Sequence, residues 1–112
     1  MSEVKTYREK LLDPRWQKLR LEIMQRAKFA CEACASNSRT LEVHHGAYFR
    51  DKEPWEIDSM YLWCLCTDCH KRAQKTLVET KALLGLLPPR GVSMIHGIIT
   101  VLRSHVRGAR KP

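Results

Sequence analysis

Two cysteine pairs, Cys31-Glu32-Ala33-Cys34 and Cys66-Thr67-Asp68-Cys69, are the residues of this chain best suited to chemistry. The two-residue gap in each lets a tight turn aim both sulfurs at one ion, and two such pairs make a four-thiolate site of the kind that holds structural zinc. His44-His45 lies between the pairs and His70 directly follows the second. A sulfur-held ion would therefore draw three imidazoles together from distant parts of the sequence. Neutral imidazole is both a metal ligand and a base at physiological pH. The spacing assigns Cys31, Cys34, Cys66 and Cys69 to zinc and leaves the histidines for reactive chemistry. Cys64 is left over, as a small buried hydrophobe.

The elements that must position these residues are short. Asp13-Pro14 is a helix start, with Asp capping the free amides and Pro preorganised for the first turn. Trp16, Leu19, Ile23 and Ala27 then recur at three- and four-residue intervals, a helical stripe reaching about Lys28. Thr40 to His44 alternates as a half-buried strand does, and Gly46 ends it. Residues 47–60 read as a loop around Pro54-Trp55, with Trp55, Tyr48 and Phe49 assigned mostly to the core. A second strand over 61–65 delivers the chain to the second cysteine pair. A helix from about Asp68 to Leu84 follows, with Ala73, Leu77, Val78, Leu83 and Leu84 as its inner side. Gly85 to Gly91 is a connector. Ser93 caps a last helix whose stripe is Ile95, Ile98/Ile99, Leu102 and Val106. The organisation is a single domain over 1–112: residues 1–12 partly ordered, a core over 13–84, and a basic helix and tail over 92–112.

The net charge of +8 is unevenly spread. Residues 1–68 hold eleven Lys/Arg against eleven Asp/Glu, whereas 69–112 hold nine Lys/Arg against Glu79 alone. A basic segment on a small domain suits a polyanion, most simply nucleic acid. Lys71, Arg72 and Lys75, and Arg103 and Arg107 near the end, are the candidates to hold phosphates. The start of the chain has no apolar run like a secretory leader, and no stretch approaches the ~18 apolar residues of a membrane span. The expectation is a cytoplasmic protein without a membrane partner, where cysteines serve metals rather than disulfides.

The order C-x-x-C, a strand ending His-His, a loop, a second strand, then C-x-x-C-H opening a helix resembles the HNH endonuclease family. The resemblance covers roughly Pro14 to Ala73. Its most specific part pairs Leu41-Glu42-Val43-His44-His45 with Leu65-Cys66-Thr67-Asp68-Cys69-His70. Asp13-Pro14-Arg15-Trp16 and Pro54-Trp55-Glu56 look like a group of small bacterial and phage HNH proteins. The resemblance implies a zinc-stapled α+β fold with a ββα-metal core, flanked by an N-terminal and a C-terminal helix. It implies hydrolysis of DNA phosphodiester bonds with one divalent ion such as Mg²⁺ or Mn²⁺. His44 and His70 would ligate that ion and His45 would be the general base. Neighbouring strand residues point to opposite faces, so His44 and His45 can share one site only if the strand bends at its end, which Gly46 permits. The sequence departs from the family at two positions. Tyr61 stands nine residues before His70, where the family has Asn, and Glu53, Glu56 and Asp58 are the loop carboxylates available to replace it. Gln74 stands where colicin-type members have a further His.

Two other readings use the same residues. One is a catalytically silent module on this scaffold that binds DNA or RNA, which Tyr61 favours. The other is a zinc-ribbon adaptor that docks protein on the Ile95–Val106 stripe. The oligomeric state is not set by the sequence.

Overall fold

A computed structural model describes residues 5–110, with side chains as far as His105. The expectations for Val106 and Arg107 concern side chains outside the described residues. The fold is α+β, with four helices and one two-stranded antiparallel sheet. By its internal contacts the chain divides into two units, Met1–His70 and Lys71–Pro112. The boundary falls inside a helix.

The first unit is built on a helix and a hairpin. The stretch expected to be partly ordered contains a one-turn helix α1 (Tyr7–Lys10), whose Thr6 hydroxyl accepts the Glu9 N–H. Helix α2 (Pro14–Arg26) starts as the Asp-Pro signal requires, the Asp13 carboxylate accepting the Arg15 N–H at 2.8 Å. Its buried face is Trp16, Ile23 and Met24; Leu19 and Ala27 of the expected stripe are partly buried against the same core. The helix ends at Arg26, two residues before the expected Lys28. Lys28 and Phe29 both take left-handed backbone angles (φ 56° and 54°), which turn the chain back toward the first cysteine pair.

Strands β1 (Leu41–His45) and β2 (Leu62–Cys66) pair with Val43 opposite Cys64, His44 opposite Trp63 and His45 opposite Leu62. Alternation gives the hairpin two different faces. Val43, Leu62 and Cys64 turn toward Trp16, Ile23, Met24 and Ile57, and this cluster is the core. Leu62 and Cys64 are fully buried, as expected of Cys64. The loop between the strands carries two short 3₁₀ turns, Pro54–Glu56 and Ser59–Tyr61. Pro54 is buried, and the Arg15 guanidinium lies 4.1 Å above the Trp55 ring. The stretches Asp13–Trp16 and Pro54–Glu56 thus touch each other. Tyr48 and Phe49, expected in the core, are exposed.

The second unit takes most of α3 (Thr67–Leu84) and all of α4 (Pro89–Arg110). Helix α4 starts at Pro89, four residues before Ser93, since a proline at the first helical position forfeits no hydrogen bond. No described residue from Lys71 to His105 is buried. Leu77, Val78 and Leu83, expected on an inner side of α3, are all more than half exposed. Among the described residues no helix is long and apolar enough to cross a membrane.

Candidate metal centre and histidine cluster

The four paired cysteines converge. One ligand atom from each of Cys31, Cys34, Cys66 and Cys69 lies within 4.8 Å of every other, and Cys34 Sγ is 3.9 Å from Cys66 Sγ. Four sulfurs held ~2.3 Å from one tetrahedral ion are roughly 3.8 Å apart, so this cluster can hold a metal such as zinc. Backbone geometry builds the first knuckle. The Ala33 and Cys34 N–H groups point at Cys31 Sγ (3.4 and 3.5 Å), and Ala35 takes a left-handed φ of 67° to close the turn. Burial opposes ionisation of Cys31, but N–H groups of Cys34, Cys66 and Ala33 outweigh it and bring the thiol down to about 6. Cys69 goes the other way, pushed up to about 12 by its hydrogen bond to Cys66 and by burial. One thiolate is favoured and further negative charge resisted, a conflict that a dication removes.

The second pair is carried by the end of β2 and the first turn of α3. The first pair is brought to it by a backbone hydrogen bond and by Arg26. The Glu32 N–H donates to the Cys64 carbonyl at 2.8 Å. Arg26, at the end of α2, donates to the carbonyls of Ser59 (2.9 Å) and Leu62 (2.7 Å) and pairs with Glu32 at 3.0 Å. Arg26 was not singled out by the sequence. Its neighbours lie 33 and 36 residues away, beyond any local pattern.

The hairpin face opposite the core carries Glu42 and His44, and His70 comes to it from α3. The His44 and His70 ring centres are 5.2 Å apart, at 70° to each other. His70 Nδ1 is 2.6 Å from Glu42 Oε1; a carboxylate only accepts, so Nδ1–H donates and Nε2 is left as the free lone pair. Thr67 Oγ1 holds the other Glu42 oxygen at 3.3 Å. A carboxylate behind an imidazole is the usual support for a metal-ligating histidine. His44 is buried, and burial followed by His70 lowers its pKa. Glu42 was legible in one respect: two residues before His44 on a strand, it shares that face.

His45 does not join this pair. The strand stays paired through His45, and the bend comes at Gly46, one residue too late to bring His45 to the face of His44. The Gly46 N–H extends the ladder to the Tyr61 carbonyl at 2.7 Å, and a Cβ at Gly46 would sit 3.2 Å from that oxygen. Glycine is needed for the close approach. His45 therefore points to the core face, stacked between Trp16 (ring centres 4.8 Å) and Tyr48 (5.1 Å), with the Tyr7 ring edge-on at 6.4 Å. Burial, then the charges of His44 and His70, push its pKa down to about 4. Its Nε2 is buried without a hydrogen-bond partner.

Tyr61 packs its ring on Phe49 at 5.5 Å, and its carbonyl latches Gly46. The loop carboxylates have local tasks. Glu53 pairs with Lys10, Glu56 accepts the Glu53 N–H at 2.7 Å, and Asp58 accepts the Met60 N–H at 2.9 Å. Among the described residues, the four cysteines are the one group of three or more His, Cys, Asp or Glu that converges on a point. Lys71, Arg72, Lys75 and Arg103 are exposed, and Lys75 lies 3.8 Å from Glu79. No protein-family model, curated protein or solved structure matches this chain.

Proposed function

We propose that the chain is a metal-dependent endonuclease of the HNH type, hydrolysing DNA phosphodiester bonds. The observation that carries the reading is the meeting of His44 from the hairpin with His70 from the helix, the latter held by Glu42 at 2.6 Å. These two imidazoles are the residues that would hold a divalent cation. Such a cation supplies Lewis-acid stabilisation of the pentavalent phosphorus and of the departing 3′ oxygen. Glu42 fixes the His70 tautomer and keeps Nε2 turned outward. His45, the base the resemblance implies, stands on the other face of the hairpin, so it takes the proton of the attacking water only if its ring leaves the Trp16–Tyr48 stack. Its depressed pKa keeps it neutral at physiological pH, and its unpartnered Nε2 is the acceptor. Lys71, Arg72, Lys75, Arg103 and Arg107 grip backbone phosphates, so binding weakens as salt rises. The cysteine site is the structural zinc that holds hairpin and helix together.

Nicking of supercoiled plasmid with Mn²⁺ or Mg²⁺, against an EDTA control, tests the reading. His45→Phe keeps the aromatic stack but removes the base, and should lower the rate ~10²–10⁴-fold with cysteine-bound metal retained. Glu42→Gln should weaken the catalytic ion ~10–100-fold. Wild-type rates from His45→Phe would remove His45 from the chemistry. A second reading, a silent nucleic-acid-binding module, is favoured by Tyr61, whose ring packs on Phe49 instead of offering a ligand. A wild-type chain that retards DNA without ever nicking it would select that reading.

A further inference from the structure

The His45 ring is enclosed on three sides, and one of them belongs to an element that the fold barely holds. Its two faces are taken by Trp16 and Tyr48, whose rings lie at 21° and 22° to it. Tyr7 stands at 65° to the same ring, 6.4 Å away, so it meets His45 at the rim, where the nitrogens are. Nε2 is buried without a hydrogen-bond partner, and the Tyr7 hydroxyl turns instead to that of Tyr48. Tyr7 is carried by α1, a single turn with no buried residue. A helix this short has no stability of its own. Its far end is anchored, because Leu11 packs on the core and its carbonyl accepts from Gln17 Nε2 at 2.7 Å. The rest is tied down by the ring contacts of Tyr7 and by the part-exposed Lys10–Glu53 ion pair at 2.9 Å. Every residue of this arrangement lies in the first unit.

We infer that α1 is a lid on His45, and that a nucleic-acid strand gains Nε2 only when Tyr7 swings off the rim with Leu11 as the pivot. The gating of chemistry rests on the nuclease reading; the lid itself does not. A ring stacked on both faces leaves its slot edgeways, and Tyr7 is the group at the edge. The orphaned nitrogen argues against a cap that serves stability alone. Buried polar groups are nearly always hydrogen-bonded, and a cap under no other demand would bring a donor or acceptor to Nε2. An unpartnered nitrogen disfavours the closed arrangement and finds a water or a ligand when uncovered. The ties that oppose opening are weak, since exposed ion pairs contribute little and a one-turn helix adds nothing cooperative. Openings of this kind belong to the low end of the free energies at which native proteins open locally, where lids are found.

Labelling of the full, metal-bound chain with diethyl pyrocarbonate at pH 7 is the test, with fragment mass spectra separating His45 from His44. In the wild type, His45 should react at least ~10-fold more slowly than N-acetylhistidine, the mark of a site that is closed most of the time. Lys10→Ala, which leaves the rings in place, should speed its labelling about two- to fivefold, the worth of an exposed ion pair. Tyr7→Ala should speed it further, and Tyr7→Phe, which loses only the tie to Tyr48, should fall between wild type and Tyr7→Ala. Cysteine-bound metal should be retained in all three. Plasmid nicking should rise in the same order. His45 labelled in the wild type as fast as N-acetylhistidine overturns the lid, and so does protection that survives Tyr7→Ala. Variants labelled faster that nick at the wild-type rate overturn the gating. If no protein nicks, wild type included, while the labelling order holds, the nuclease reading falls and the lid stands.

Discussion

His45 illustrates how a single imidazole is governed by what surrounds it. Between two aromatic faces it has little water to stabilise a charge, and two further histidines stand nearby. Its pKa falls from 6.5 to about 4, so the folded state refuses a proton that the unfolded chain accepts. The stability tied to this group is complete above pH 6.5 and is lost as pH falls toward 4, at about 1.4 kcal/mol per pH unit. By pH 5 the loss is about 2 kcal/mol. His45→Phe keeps the stack and has nothing to titrate. Urea denaturation of both proteins at pH 7 and pH 5 should show the wild type losing about 2 kcal/mol more than the variant. Equal losses would mean that His45 is charged or solvated in the folded state. Adjacent residue types told the sequence reader that His44 and His45 were special. They could not say that one would face a helix and the other an aromatic stack, because whether a strand bends at its last residue depends on how its neighbour's carbonyl is placed.

At the scale of elements, local signals were the legible ones. The Asp13-Pro14 start, the Trp16–Ile23 stripe, the two strands within a residue of their ends, and the convergence of the cysteines follow from spacing and propensity. What joins these elements was hidden, because it rests on contacts between residues far apart in sequence. Arg26 is the clearest case: one guanidinium ties the end of α2 to two carbonyls around the start of β2 and to the first knuckle through Glu32. Hydrogen bonds from a charged donor to neutral acceptors contribute ~1.5–3 kcal/mol, and this side chain is only about one-third exposed. Arg26→Met, which keeps the aliphatic stem, should lower unfolding free energy by about 2 kcal/mol. It should also weaken cysteine-bound zinc in a chelator competition, since the first knuckle loses an anchor. A variant as stable as wild type would make Arg26 a surface residue with incidental contacts. The face of α3 was misjudged for a related reason. An apolar stripe shows that a surface needs covering, and sequence alone does not show whether this chain supplies the cover.

For the whole molecule, the two units divide the physical tasks. Residues 1–70 hold the buried core, the cysteine cluster and all three tryptophans, Trp16, Trp55 and Trp63. Residues 71–112 hold most of the helix and the whole of the net charge: nine Lys/Arg against Glu79 accounts for the +8. The first unit is small, its core cluster is seven buried residues, and its first knuckle is joined to the rest across more than thirty residues of chain. Cores of this size leave only a narrow margin over conformational entropy. A structural zinc site contributes ~10–16 kcal/mol to folding in the smallest domains. Metal removal should therefore unfold the first unit and leave part of the second helical. With a strong chelator at neutral pH, tryptophan emission should move to the red of the native protein. Far-ultraviolet ellipticity should fall only in part, because α4 belongs to the other unit and carries none of the four cysteines. Cys66→Ser should give the same spectra without chelator. Unchanged tryptophan emission in protein shown to be metal-free would mean that the sulfur cluster is a passenger on a fold that stands without it.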